Sequence, residues 1–152
     1  MDTQNAPQPA EGPIEDPRKK KLEARYQEEL EQREALEEAR EYALFKLEKE
    51  FGIGSDTIEL WKKNSPLGVD LTWVNAKPYI YQVVQLSEFM AAGENALDFN
   101  EIRKRVVFKA LLAPKFKKES DLLLAPAGLI QTLSDAIFRS SGFIDNAVSI
   151  SL

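Results

Sequence analysis

Two stretches in the C-terminal third of the chain repeat apolar residues at helical spacing. In the first, Asp98 and Glu101 have the spacing of a capping box. The apolar face that follows consists of Phe99, Ile102, Val106, Val107, Ala110 and Leu111. Pro114 is expected to end this helix, because proline cannot continue the backbone hydrogen-bond ladder.

The second stretch is predicted to begin a helix at Pro126, a residue suited to the first helical turn. Its buried face is predicted to consist of Leu129, Ile130, Leu133, Ala136 and Ile137. We expect a Schellman stop at its end, with positive φ at Gly142 and with Phe143 folded back on Phe138.

Residues 18–51 are predicted to form one long helix, since they lack glycine and proline until Gly52 and are rich in helix-forming residues. The apolar positions of its front half are sparse: Leu22, Tyr26, Leu30 and Leu36. A stripe this thin cannot bury much against a globular core. These four side chains are therefore candidate partner-binding residues. The alternative is a solvated helix whose many charged side chains face water.

Alternation of apolar and polar residues predicts a single β-hairpin. Val69, Leu71 and Trp73 alternate in its first strand, and Tyr79, Tyr81 and Val83 alternate in its second. Residues 75–78 are expected to form the loop between them. Because a lone hairpin is marginal in water, it is expected to pack on the helices.

Short helices are predicted on both sides of the hairpin, over residues 57–63 with Ser55 or Asp56 as the cap, and from Ser87 to Gly93. The fold class is mainly α with a small β-hairpin (α+β), in which the long helix over 18–51 projects from a small domain over 55–143. Residues 1–17 contain four prolines and are expected to be extended or disordered, and the alternative is an arm that orders against a neighbouring subunit. Residues 144–152 are expected to be a flexible tail, or to add an edge strand to a neighbour.

Composition narrows the chemistry that the chain can perform. It contains no cysteine and no histidine, which excludes disulfides, zinc–thiolate sites and histidine general bases. The net charge of −5 gives no attraction for nucleic acid, and no apolar run approaches the roughly 20 residues of a membrane span. The carboxylates crowd the long helix, where they face water. We therefore expect no enzymatic activity, no cofactor and no metal site, and no signal peptide pattern opens the chain.

Five short motifs follow one another between residues 58 and 143: Trp61-Lys62-Lys63, Tyr79-Ile80-Tyr81, Leu86-Ser87-Glu88-Phe89, Leu112-Ala113-Pro114, and Pro126-Ala127-Gly128-Leu129 closing on Ser141-Gly142-Phe143. This order resembles a group of small tailed-bacteriophage proteins that are encoded among tail genes. They are commonly labelled tail assembly chaperones or tail and baseplate components. The chain departs from their pattern at residues 64–68, where a tighter glycine turn is usual, and at Ser87, where a basic residue would normally follow. The arm and the long helix lie outside the resemblance.

The resemblance implies a non-enzymatic protein of the virion tail, made in the host bacterial cytoplasm. As a tail or baseplate component, its domain would dock between subunits through Trp73, Tyr79 and Tyr81. The implied partners are other tail or baseplate proteins, with homo-oligomerisation through the long helix left open. One alternative is a tail assembly chaperone that binds the tape-measure protein, and another, of a different class, is a cellular coiled-coil adaptor.

Overall fold

A computed structural model of the chain describes residues 16–143 and 150–152. The chain divides into two compact units, Met1–Glu37 and Glu38–Leu152. The elements in chain order are α1 (Pro17–Phe51), α2 (Ser55–Asn64), β1 (Val69–Val74), β2 (Lys77–Gln82), α3 (Leu86–Gly93), α4 (Phe99–Ala110), β3 (Leu111–Ala113), a 3₁₀ helix (Glu119–Leu124), α5 (Ala127–Ser140) and β4 (Ile150–Ser151). The predicted fold class, mainly α with a small β component and a long N-terminal helix, is confirmed. The predicted arm lies outside the described residues except for Asp16 and Pro17.

The long helix α1 begins one residue before its predicted start. The Asp16 carboxylate accepts a hydrogen bond of 3.0 Å from the Arg18 amide, and the Asp16 carbonyl accepts one of 3.1 Å from the Lys20 amide. Asp16 therefore caps the helix, and Pro17 occupies the first helical position, where its missing N–H costs nothing. No glycine or proline interrupts the 34 residues that follow, up to Phe51.

The sheet of the second unit has the strand order β3-β2-β1-β4, and every neighbouring pair is antiparallel. The β1–β2 pairing runs from Val69 opposite Gln82 to Val74 opposite Lys77, so only two residues connect the strands. These are Asn75 and Ala76, with φ of 51° and 63°, as a type I′ turn requires. The predicted four-residue loop over 75–78 was wrong, because Lys77 and Pro78 belong to β2.

Helices cover both faces of the sheet. Leu71 and Ile80, which are paired, lie in a buried cluster with side chains from α1 and α2; its members are Ala43, Leu47, Ile58, Val69, Leu71, Ile80 and Leu152. Tyr81, on the opposite face, lies in a second cluster that is supplied mainly by α4 and α5, including Val107, Leu133 and Ile137. The core therefore extends beyond the predicted range of 55–143, to the last turns of α1 and to Leu152.

Residues near the C-terminus also differ from expectation. Residues 150–152 were predicted to belong to a flexible tail, but Ile150 and Ser151 pair with β1, and the Leu152 amide donates to the Val69 carbonyl at 3.0 Å. This strand joins the sheet of its own chain. Residues 144–149 lie outside the described residues.

Two helix boundaries were predicted correctly. The Asp98 carboxylate caps α4 by accepting from the Glu101 amide at 2.9 Å. At the end of α5, Gly142 has φ of 87° and the Phe143 amide donates to the Phe138 carbonyl at 2.9 Å, which completes the Schellman motif.

Other boundaries were predicted incorrectly. Helix α4 ends at Ala110, four residues before Pro114, because residues 111–113 turn extended and pair with β2. Helix α2 begins at Ser55 after Gly54, so neither Ser55 nor Asp56 is its cap. Helix α3 begins at Leu86 after Gln85, and Ser87 lies inside it. Pro126 stands just before α5 and not at its first position.

Candidate interaction surfaces

The front half of α1 exposes most of its apolar side chains. Leu22, Tyr26 and Leu36 are 65%, 58% and 69% exposed, and Leu30 is half-buried. All four were predicted to bind a partner, and all four lie in the first unit. Their spacing places them on one stripe of the helix. Burying such a stripe against a partner is favourable, since each apolar side chain removed from water contributes roughly 1.5–3 kcal/mol.

The hairpin aromatics behave differently from the expectation that they dock a partner. Tyr81 is fully buried and Tyr79 is 7% exposed, so neither side chain is available at the surface. The Tyr81 hydroxyl lies 2.8 Å from the Ser140 Oγ, and it donates to the Ala136 carbonyl at 3.4 Å. These contacts attach β2 to α5 and account for Tyr81 as a core residue with a satisfied polar end.

Trp73 is the one hairpin candidate that reaches the surface in part. Its ring lies 5.9 Å from the ring of Phe51, and the Lys46 ammonium lies 4.9 Å from its centre. A shallow groove of about 320 Å³ beside it is also lined by Tyr42, which is 65% exposed. Trp73 therefore remains a candidate contact residue, together with α1 aromatics that the sequence analysis did not single out.

A further apolar surface, which sequence reasoning missed, surrounds α3. Helix α3 contains no buried residue, and its Leu86 and Met90 are 65% and 64% exposed. Phe89, three residues after Leu86 on the same helix, is partly buried, and its ring centre lies 4.7 Å from that of Phe143, which is 45% exposed. We call this surface, made by Leu86, Phe89, Met90 and Phe143, the α3 patch. The sequence signal for it is the composition of residues 86–93, in which only Ser87 and Glu88 have polar side chains.

A polar cluster lies on the α5 face of the sheet. Asp70 is only 9% exposed and forms side-chain hydrogen bonds with Ser140 and Ser151. Burial raises the pKa of the Asp70 carboxyl above its ordinary value, and the two hydroxyls offset part of that shift. The cluster joins β1, β4 and the end of α5. Its carboxylate is enclosed by the fold, so the arrangement is suited to holding these elements together.

Comparison of the chain with family models, with curated proteins and with solved structures gives no match. None of the helices formed by the described residues combines the length and the apolar character needed to cross a bilayer. Within the same residues, no three or more carboxylates gather in a group that could hold a metal ion.

Proposed function

We propose that this chain is a non-enzymatic assembly protein that joins protein subunits, and that it serves as a tail or baseplate component of a tailed bacteriophage. The observation that carries the proposal is the front half of α1, where three of four apolar side chains are more than half exposed. A helix of this kind is stabilised mainly by packing of its apolar stripe, so it needs a partner.

The α3 patch supports the same role from the second unit. Apolar side chains scattered singly on a surface need no explanation, but Leu86 and Met90 are both exposed one turn apart on α3, and Phe143, which contacts Phe89 of the same helix, is also exposed. Interfaces are enriched in phenylalanine and methionine relative to the rest of a protein surface. Each unit therefore offers an apolar surface of its own, as a protein that connects subunits requires.

The phage-tail part of the proposal is supported by the order of motifs between residues 58 and 143. Its most specific part is the Pro126-Ala127-Gly128-Leu129 start and the Ser141-Gly142-Phe143 stop of α5. The test is mass spectrometry of purified virions from the phage that encodes the chain. A virion component is present at a fixed copy number, whereas an assembly chaperone is absent from virions and is recovered with the tape-measure protein.

A substitution test addresses the helix directly. Changing Leu22, Tyr26 and Leu30 together to serine should abolish incorporation into tails while leaving the thermal melt of the second unit unchanged, because the three side chains lie outside its core. The matched control changes Glu23, Gln27 and Glu31 to serine. It imposes the same spacing and a similar loss of helix propensity but removes no apolar side chain. Incorporation by both triple variants alike would show that this part of α1 is a solvated spacer.

A further inference from the structure

The exposed stripe of α1 has the spacing of a coiled-coil seam that contains two charges. Steps of four and three residues from Leu22 lead to Tyr26, Glu29, Arg33 and Leu36. Tyr26 and Leu36 are more than half exposed, and so is the side chain of Glu29, at 55%. The seam is thus apolar at its ends and carries one acid and one base in its middle.

Charge is distributed unevenly along the same segment. Residues 18–25 contain five basic side chains and one acidic one, whereas residues 28–37 contain five acidic side chains and one basic one. This order opposes the helix macrodipole, which favours acids near the N-terminus; the first turn of α1 contains none. An isolated helix gains nothing from this arrangement, but a partner whose charges run in the opposite direction along the axis would complement it.

We infer that the front half of α1 pairs with the same segment of a second copy of the chain, antiparallel, in a register centred on Glu31. In this register Tyr26 of one copy lies opposite Leu36 of the other, and Glu29 lies opposite Arg33. Each contact occurs twice because the pair is two-fold symmetric. The seam then has two apolar layers that flank two ion pairs.

The antiparallel direction follows from the charges. It places residues 18–25 of each helix beside residues 37–44 of the other, which contain three glutamates and one arginine, and it opposes the two macrodipoles. A parallel pair in the same heptad frame would instead bring Glu29 against Glu29 and Arg33 against Arg33, and like charges across an interface are strongly unfavourable. Leu30, half-buried on the flank of the seam next to Glu29, adds apolar area close to the two-fold axis.

This pairing does not rest on the phage-tail role, since a cellular adaptor could use it equally. Its first test is the mass of the full chain by sedimentation equilibrium over the micromolar range. The expected result is a concentration-dependent species of twice 17.2 kDa, the mass of one chain. A chain that stays monomeric, or that pairs only with a different protein, overturns the inference.

Disulfide trapping tests the direction and the register of the pair. Because the chain contains no native cysteine, only the introduced cysteines can form disulfides. When Tyr26→Cys and Leu36→Cys variants are mixed, they should form an interchain disulfide, while each variant alone should not. In the inferred register, two copies of either position are ten residues apart along the axis, about 15 Å, which exceeds the roughly 7 Å that a disulfide spans. Cross-linking of each variant with itself would indicate a parallel pair and overturn the inference.

A matched control places the two cysteines opposite each other along the axis in the same register, but on the side of each helix that faces away from the seam. Gln27→Cys mixed with Ala35→Cys has the same centre of symmetry, yet both positions lie on the outer side of the helix, so no disulfide is expected. Equal trapping of this pair would show that the cross-links report random collision, and the register would be overturned.

Charge exchange tests the middle of the seam. Glu29→Arg alone or Arg33→Glu alone makes all four central charges alike and should weaken dimerisation by at least about tenfold, the effect of some 1.4 kcal/mol. The double variant Glu29→Arg with Arg33→Glu should restore the dimer. The thermal melt of the second unit should be the same in all variants as in the wild type, since both substituted positions lie in the first unit. Unchanged affinity in the single variants would overturn the inference.

Discussion

Arg103 on α4 donates a hydrogen bond to Asp135 on α5, with 2.6 Å between Nη1 and Oδ1. The same nitrogen donates to the Ser134 Oγ at 2.8 Å, and the guanidinium carbon lies 4.8 Å from the centre of the Phe99 ring. The two charged side chains are only 21% and 30% exposed. Because water screens this pair less than a surface pair, its contribution to packing α4 on α5 should be measurable.

Replacing Arg103 by alanine should lower the free energy of unfolding by about 1.5–3 kcal/mol, the range for hydrogen bonds to charged groups. Arg103→Lys should recover only part of this loss, because an ammonium lacks the planar fork and stacks less well on a ring. The control is Lys62→Ala, which removes the 3.6 Å pair with the 69%-exposed Glu59 and should change stability by less than about 1 kcal/mol. Urea melts of the three variants make the comparison, and equal losses for Arg103→Ala and Lys62→Ala would contradict it.

Elements with local sequence signals could be predicted closely. The length of α1 follows from the absence of glycine and proline, and the Asp98 cap and the Gly142 stop each depend on residues that are neighbours in sequence. The exposure of Leu22, Tyr26 and Leu36 also follows from local sequence, because a stripe with so few apolar residues cannot be covered by a globular core.

Elements that depend on distant pairing could not be predicted. The apolar period of α4 runs on through Leu111, but residues 111–113 gain more by pairing with the edge of β2, and the residue before Pro114 favours an extended backbone. Alternation in β1 and β2 marks two faces without revealing that helices cover both. For this reason the alternation did not reveal that Tyr79 and Tyr81, which the resemblance implied as docking residues, are core residues.

The hairpin turn offers a prediction of its own. Ala76 has φ of 63°, a left-handed conformation that its Cβ disfavours, at a position where type I′ turns usually have glycine. Ala76→Gly should therefore raise the free energy of unfolding by about 1 kcal/mol, less the extra entropy that glycine gives the unfolded chain. Thermal melts of the wild type and the variant test this. A lower melting temperature for Ala76→Gly would contradict the strain argument.

Two glycines at opposite ends of α5 form a matched pair. Gly142 has φ of 87° with open space around it, so Gly142→Ala should destabilise the protein by about 1–2 kcal/mol through backbone strain alone. Gly128 lies within the first turn of the helix, also in open space, so Gly128→Ala should stabilise it by up to about 1 kcal/mol. Chemical denaturation measures both. If the two substitutions have effects of the same sign, the conformational explanation fails.

The last prediction concerns the enclosed carboxylate of Asp70. Its folded-state pKa is raised above 3.8 by burial, with hydrogen bonds from Ser140 and Ser151 acting in the opposite direction. The folded state therefore binds the Asp70 proton more tightly than the unfolded state does. The contribution of this group to stability is fully present below the unfolded pKa and is lost as the pH rises through the folded pKa. At neutral pH the protein bears the cost of a buried charge.

Asp70→Asn removes that charge and keeps a carbonyl oxygen that can accept from both hydroxyls. The variant should be more stable than the wild type at neutral pH, and the difference should shrink as the pH falls through the folded pKa, because Asp70 then becomes neutral as well. Urea melts of both proteins from neutral to acid pH measure the difference. The control, Asp56→Asn, makes the same chemical change at an exposed position in the first turn of α2 and should give no stabilisation at neutral pH. A variant less stable than the wild type at neutral pH, or a difference that does not vary with pH, would show that the charge of Asp70 is compensated within the fold.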